Sequence, residues 1–445
     1  MDVFVRWRPL VGAETVSGSV THTSRADPSS ARLAITIDRG LAPSDKVWTS
    51  ASAFTRVLSG DTSNAAAYTA VAQPAVPRVL AGGCHSVFAY GHSGSGKTHT
   101  VVGYQDESGP GLCLAAAEEL FAHIATLNAR GDEGHPELAI GLAVFELRQK
   151  AAFDLLNDGT KCHIREGPDG KVHIRGETET LADGKVRVRP IVKRPCWSLA
   201  ELRDTLRDAL ARRAVGASSV HDQSSRTHAV LELEIVNAPL IAARAAVVDR
   251  QSELVPVGKR ATDVAVAEQT KGVLRDADGT YRPNPGYVVN QALIDAADAE
   301  KAACEARVAE AEAHVDAIRN DADKAACLGG RMVFVDLAGA EYQQDGNNNM
   351  AGTAQTPAER QEARQINADL LALKEVMRAW AANKPRVPYR ASPLTMVLRE
   401  TLGDAARHGG GGAGMVVTVS PATVHRAATL NSLKYASLMG TVRGA

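Results

Sequence analysis

Apolar residues run together or alternate with polar ones at 3–5, 87–89, 139–145, 229–236, 332–335 and 415–419, and each block predicts a strand. Between them lie helical stretches, at 112–127 and 199–213. Strands alternating with helices predict an α/β fold, a central mixed, mostly parallel sheet with helices on both faces. Segments 14–46 and 157–195 are polar and rich in glycine and charge, so loops or short surface hairpins are expected there. The glycine run 409–412 is expected to be a flexible loop before the last strand.

The pattern shifts between 238 and 330. From 290 to 326 the sequence NQALIDAADAEKAACEARVAEAEAHVDAIRNDADKAA is rich in Ala and Glu and lacks Gly and Pro, which predicts a helix about 50 Å long. Ile294, Ala297, Cys304, Val308, Ala311, Val315, Ile318 and Ala322 fall on a three-four spacing that Lys301 alone interrupts. That seam is thin and alanine-heavy, which suits a solvated or lightly packed insertion better than a dimerising coiled coil; dimerisation is not evident. The expected organisation is one domain over 1–445 with a largely helical insertion at 238–330.

Composition narrows the possibilities. The 445 residues carry 50 Lys+Arg against 51 Asp+Glu, so charge balance predicts no nucleic-acid partner and any basic surface must be local. Six cysteines (Cys84, Cys113, Cys162, Cys196, Cys304, Cys327) form no C-x-x-C pair, which favours free thiols in a reducing compartment. The opening MDVFVRWRPL alternates and places arginines where a signal peptide needs an apolar core, so it reads as a strand. No run of 18 apolar residues predicts a membrane span, and a cytosolic protein is expected.

Candidate chemistry centres on residues 91–100, GHSGSGKTHT, entered from the apolar-aromatic run at 86–90. This is the strand, glycine-rich turn and helix of a P-loop NTPase. Gly91, Gly94 and Gly96 free the backbone to aim successive N–H groups inward at an anion, with the positive end of a helix behind them. His92, Ser93 and Ser95 complete the cradle, Lys97 reaches the β- and γ-phosphates, and the Thr98 hydroxyl takes a Mg²⁺ position. The strand at 332–335 ends in Asp336-Leu337-Ala338-Gly339-Ala340-Glu341. An acid there can hold Mg²⁺ through water, and Gly339 can offer its N–H to a γ-phosphate, although a plain strand-ending turn has the same sequence. His221-Asp222-Gln223-Ser224-Ser225-Arg226-Thr227-His228 precedes another strand. Ser224 and Ser225 can ligate Mg²⁺ or orient water, or merely cap a helix; Arg226 can pair with Glu341 as the two loops close.

In this order the three motifs resemble those of the kinesin motor domain, GQTGSGKT, NxxSSRSH and DLAGSE. The resemblance continues through most of the chain outside the insertion. Arg6, Arg8 and Pro9, in Val5-Arg6-Trp7-Arg8-Pro9-Leu10, resemble the family strand that flanks adenine, and His99 matches the position that stacks on the base. Phe145-Glu146 and Asp154-Leu155-Leu156 resemble its FEIY…DLL stretch. Residues 362–367 and 370–375 resemble the relay helix; Val387-Pro388-Tyr389-Arg390 and 430–436 resemble VPYRxSxLT and TLxxLRYA. The resemblance implies a microtubule-stimulated ATPase with ATP and Mg²⁺ as cofactors, in which Thr98, Ser225 and Asp336 hold the metal. It also implies a cytoplasmic, cytoskeletal protein that meets microtubules through Asn367, Lys374, Arg378, Lys384, Arg386 and Arg390, with Arg399 as a further candidate.

Departures from the pattern are specific. His92 replaces the P-loop glutamine, His221 the first switch's asparagine, and Pro393 and Met396 stand where lysine and arginine are common; residues 342–356 contain no basic side chain. Fewer cations should slow encounter with an acidic filament. The alternative reading is therefore a kinesin-like microtubule- or partner-binding protein with weak or no ATPase. The run LLALKE most resembles the microtubule-depolymerising subfamily, yet the Lys-Val-Asp loop tip is absent from 10–50 and no neck or coiled coil flanks the sequence. Direction and depolymerase activity stay open, and a motor-domain fragment or a minimal monomeric protein is expected. Excision of 240–328 is expected to leave basal turnover nearly unchanged.

Overall fold

Every residue of the strand Cys84–Tyr90 (CHSVFAY) is buried, as expected of a strand covered on both faces. It lies between Arg331–Asp336 and Gly412–Val419, both parallel to it, and beyond the latter come Asp2–Trp7 and Arg56–Leu58, also parallel. On the other side the sheet continues through His228–Asn237, antiparallel to Arg331–Asp336, then Leu138–Arg148, Ala151–Asp154 and Thr160–Glu166. The sheet is mixed, with a parallel centre. The computed structural model describes residues 1–12, 14, 18–28, 31–40, 45–103, 109–130, 136–167, 170, 172–180, 186–214, 226–276, 279–320, 326–340, 357–399, 402 and 412–441. Among them no helix is long and apolar enough to cross a membrane.

Side chains alternate across a strand, so the two faces take different helices. Val5, Trp7, Phe88, Tyr90, Val335 and Val417 form one core with Ile366, Leu370 and Leu373 of the helix Pro357–Ala381 and with Leu433 and Ala436 of Arg426–Gly440. The helices Leu112–Arg130 and Leu199–Ala214 pack on the strand Leu138–Arg148, and Lys97–Val101 packs on Cys84–Tyr90 and Arg331–Asp336. Leu112, Leu120 and Leu202 are fully buried there; truncating such a leucine to alanine costs about 2–5 kcal/mol. All six predicted strands and both predicted helices are present.

The polar segments are more ordered than their composition suggests. Within 14–46 lie His22–Ala26 and Leu33–Ile37, which form a three-stranded antiparallel sheet with Trp48–Thr49. Ile35 and Ile37 join the core, and His22 stacks on Trp7 at 3.9 Å between ring centroids. Within 157–195, Thr160–Glu166 extends the main sheet and Arg194–Cys196 pairs with Leu138–Arg148. A strand with one wet face reads as polar, which hides it from a hydrophobic pattern.

The chain divides into two compact units: residues 1–174, 191–236 and 326–445, and residues 175–190 with 237–325. In the second unit the predicted helix is Gln291–Asn320, about 45 Å at 1.5 Å per residue. It packs on a second helix, Ala238–Lys271, whose bounds the sequence pattern did not give within the segment expected to be largely helical. Pro256 inside that helix and its mixed Ala/Val face conceal its period. Gln251 Nε2 donates to Glu312 Oε1 at 3.4 Å and Arg307 lies 3.9 Å from Glu253, so the two helices run antiparallel. Near the turn Glu268 accepts from the Tyr287 hydroxyl at 2.5 Å and from Lys271 Nζ at 2.7 Å. The alanine-heavy seam thus has a partner within its own chain. In the first unit Ala229 lies opposite Asp336 and Glu234 opposite Arg331. The chain therefore leaves that unit after Val236 and rejoins it at Ala326 at the strand ends away from Asp336.

Candidate functional site

The strand Cys84–Tyr90 hands over to the glycine-rich turn, whose geometry explains its glycines. A Cβ on Gly91 would sit 2.3 Å from the Thr418 carbonyl oxygen, while Gly94 and Gly96 take φ of 73° and 98°, left-handed values that other residues adopt at a cost. Ser95 Oγ bonds Thr418 Oγ1 at 2.7 Å, fastening the turn to the neighbouring strand. Ser93 and Gly94 are exposed at its tip. Lys97 is 6% exposed, and its Nζ donates to the carbonyls of Gly91 at 3.1 Å and His92 at 3.0 Å. Three contacts with backbone or strand thus set the loop before any ligand arrives.

Asp336, 1% exposed, ends its strand beside this loop. Thr98 Oγ1 donates to its Oδ2 at 2.7 Å, and Arg213 Nη1 donates to the same oxygen at 2.8 Å. Asp336 Oδ1 is buried with no hydrogen-bond partner among the described residues. A hydroxyl and a free carboxylate oxygen side by side are the hard donors that Mg²⁺ takes. No group of three or more His, Cys, Asp or Glu that could hold a metal occurs among the described residues. Thr98 and Asp336 would hold Mg²⁺; Ser225 lies outside the described residues.

Sequence reasoning missed Arg213. It stands near the end of the helix Leu199–Ala214 in an arginine-rich stretch that reads as solvated, yet its Nη2 donates to the Thr227 carbonyl at 3.0 Å. Thr227 Oγ1 in turn donates to buried Glu146 at 3.1 Å. This chain of buried polar groups satisfies charges that would otherwise be costly to bury.

The two switch segments are described in part. Leu337 N–H donates to the Ala89 carbonyl at 3.2 Å and Ala340 N–H to the Gly91 carbonyl at 3.1 Å, so buried Gly339 is held against the phosphate loop. Ser224, Glu341 and His221 lie outside the described residues, and with Glu341 the expected Arg226 pairing. Arg226 Nη1 stands 3.4 Å from Glu362 Oε2, near the start of the helix Pro357–Ala381.

The residues expected around a base divide. Arg8 Nε donates to the Gly94 carbonyl at 2.9 Å and its guanidinium grips Glu14 at 2.7 and 2.5 Å; the Arg8 hydrogen bond holds the Glu14 carboxyl down at about 2. Arg6 turns inward, donating to Thr100 Oγ1 and the Thr62 carbonyl, each at 3.0 Å. The Pro9 carbonyl accepts from Arg8 at 2.9 Å. The His99 carbonyl accepts from Asn64 at 3.4 Å. His92 is buried, which pushes its pKa down to about 4 and leaves it neutral, and its ring stacks on His425 at 5.1 Å. Glu14 and His425 carried no signal in the sequence.

The residues expected to meet a filament differ in exposure and in partners. The helix Pro357–Ala381 turns Leu370, Leu373 and Val376 to the core and leaves Asn367 and Arg378 exposed and Lys374 half-buried. Lys384 and Arg386 are exposed beyond it. Arg378 lies 3.6 Å from Glu375. Arg390 donates to Glu166 twice, at 2.6 and 2.8 Å, and Arg399 Nη1 reaches the same carboxylate at 2.8 Å. The two arginines, Arg390 first, hold the Glu166 carboxyl down at about 2.

The sequence matches the kinesin motor domain family over residues 6–257 and 311–442. Mouse (Mus musculus) kinesin-like protein KIF24 is 24% identical over 384 residues, which is 86% of this chain and 20% of that protein. Kinesin-like protein KIF25 of Macaca fascicularis is 26% identical over 373 residues, 81% of this chain and 53% of the relative. The chain thus spans about a fifth of the first and half of the second. The motor domain of the Kar3-like kinesin from Ashbya gossypii shares the fold, with a TM-score of 0.58 and 19% identity, covering 99% of each chain. The stretch left out of the family match falls in the second unit, within its helical hairpin.

Proposed function

Because this chain belongs to the kinesin motor domain family, we propose that it is an ATP-hydrolysing microtubule motor domain, coupling Mg-ATP turnover to filament binding or force. The observation that carries the proposal is the meeting of Thr98 with Asp336 at 2.7 Å, beside buried Lys97. Three strings far apart in sequence supply one triphosphate site. Backbone N–H groups of the turn cradle the phosphates, and Lys97 exchanges the carbonyls of Gly91 and His92 for β- and γ-oxygens. Magnesium, when bound, neutralises charge on those oxygens and orients them. Ser224 and Ser225 orient water, Gly339 offers its N–H to the γ-phosphate, and Arg226 with Glu341 closes the site. Arg8, Pro9 and His99 border the base. No covalent intermediate is required.

On this reading the helix Pro357–Ala381 carries the change outward to a microtubule surface met by Asn367, Lys374, Arg378, Lys384, Arg386 and Arg390, and the protein works at the cytoskeleton in the cytoplasm. The insertion, attached at the far strand ends, serves as lever, docking arm or ballast and leaves the chemistry alone. A second reading, a filament- or partner-binding protein that hydrolyses slowly, is favoured by Glu166 neutralising part of the basic surface. Steady-state ATPase at low salt with and without microtubules separates the two. Strong stimulation supports the motor; a flat response removes it in favour of the binding protein.

A further inference from the structure

His228 opens the strand His228–Asn237, and its Nδ1 accepts the Ala338 N–H at 3.0 Å. A ring nitrogen that accepts carries no proton, so the neutral imidazole must carry its proton on Nε2. The ring is neutral: burial, with Arg213 and Lys97 nearby, pushes its pKa down to about 3. Its Nε2 is buried and has no hydrogen-bond partner among the described residues. Among the described residues the carboxylate that pairs with it is Asp369, whose Oδ2 lies 3.9 Å away on the helix Pro357–Ala381.

Asp369 is unusual in its own right. It is 5% exposed at mid-helix, a place where a carboxylate is seldom left without a task. Its Oδ1 accepts from Gln365 Nε2 at 3.1 Å and Ser392 adds a hydrogen bond, while burial raises its pKa to about 6. At neutral pH the group is mainly ionised. A donor N–H and an ionised acceptor thus face each other about 1 Å beyond bonding distance. The imidazole nitrogen, buried without a partner among the described residues, gains most from closing that gap.

We infer that His228 and Asp369 form a latch, open at 3.9 Å, whose closure couples the Asp336–Ala340 segment to the helix Pro357–Ala381. The inference rests on the nucleotide-driven reading above. Ala340 hangs on the Gly91 carbonyl and Ala338 on the His228 ring, so a shift of the phosphate loop is passed to the imidazole through one backbone–backbone and one backbone–side-chain hydrogen bond. The next residue along the helix supplies a pivot: the Tyr435 hydroxyl donates to the Leu370 carbonyl at 3.0 Å, and the Tyr435 ring stacks on Tyr90 at 4.1 Å. With position 370 tethered to the strand that precedes the loop, drawing Asp369 toward His228 rotates the helix about that point. His228 and Asp369 are positioning residues, since neither touches the substrate.

Hydrogen–deuterium exchange across 366–374, with a non-hydrolysable ATP analogue and with ADP, tests the latch. Affinity for both nucleotides is measured in parallel. The wild-type protein should exchange about tenfold more slowly with the triphosphate. Asp369→Asn should show equal exchange in the two states while keeping both affinities. A merely structural role predicts uniformly faster exchange in both states. Should Asp369→Asn fold poorly, His228→Gln is read the same way. In microtubule-stimulated turnover the double variant should be no worse than the worse single one, the mark of one shared interaction. Nucleotide-dependent protection surviving Asp369→Asn overturns the latch, as does wild-type protein that binds both nucleotides with identical protection. Wild-type protein that binds neither nucleotide overturns the functional reading, and the latch with it.

Discussion

Lys97 and Asp336 sit inside the molecule, held by the loop's carbonyls, by Thr98 and by Arg213. At the end of the helix Pro357–Ala381 and beyond it, Arg378, Lys384 and Arg386 are exposed, and the Arg390 side chain is 77% exposed although Glu166 binds it. The same kind of charge obeys different rules in the two places. A buried charge must be met by several fixed partners or it is not tolerated, so the nucleotide edge admits few arrangements. An exposed pair contributes about 0–1 kcal/mol and is screened by salt. This exposed surface can therefore trade charges freely, and its departures from the family pattern cost the fold little.

Substitutions of falling severity probe that contrast. Lys97→Ala should lower ATP turnover by on the order of 10²–10³-fold or more; hydrolysis near the wild-type rate would sink the site assignment. Arg213→Ala leaves Asp336 without its buried cation and should cost about 3–5 kcal/mol of stability, read as a shift in the denaturation midpoint. A loss under about 1 kcal/mol would mean that the buried edge follows surface rules after all.

Glu166→Gln releases Arg390 and Arg399. Microtubule affinity at low salt should rise about threefold, with the gain fading as salt is added and stability hardly changed. Unchanged binding would show that these arginines do not face the filament. The smallest effect belongs to the insertion. Replacing 238–325 with a two-residue turn should leave basal turnover within about twofold. Cys327 and Leu328 must stay, because they are 2% and 4% exposed in the first unit's core. A collapse of the basal rate would show that the arm supports the nucleotide edge.

Much of the nucleotide edge was legible because its residues come in strings. Lys97 and Thr98 end a glycine turn, and Asp336 ends an apolar strand, so local sequence places each in context. Arg213 and Glu166 were not legible, since each derives its meaning from a partner more than 100 residues away, at Asp336 and at Arg390 and Arg399. Asp369 was hidden differently: its neighbours Leu370 and Leu373 announce a core-facing helix, but nothing in the helix tells that the carboxyl is buried beside His228. In 157–195 the expected hairpin pattern corresponds to the antiparallel pair Val172–Thr180 and Val186–Pro190, whereas the place of Thr160–Glu166 inside the main sheet was hidden because a strand with a wet face reads as polar. The helical character of the insertion was legible, but the bounds of Ala238–Lys271 were not, because Pro256, a residue that normally ends a helix, sits within it.

The place where the insertion joins the sheet has a consequence for how the protein folds. Ile235 exchanges hydrogen bonds with Gly329 and Gly330, at 2.8 and 2.9 Å, so the strands on either side of the insertion are antiparallel neighbours. Pairing them across roughly 90 unstructured residues would carry a loop-closure penalty that grows with the logarithm of length. The two long helices, however, zip together from their own turn by contacts local to the hairpin, and in doing so they return the chain to its starting point. Effective separation along the sequence then falls to a few residues before the strands meet, and the arm can gain or lose whole helical turns without slowing the assembly of the sheet.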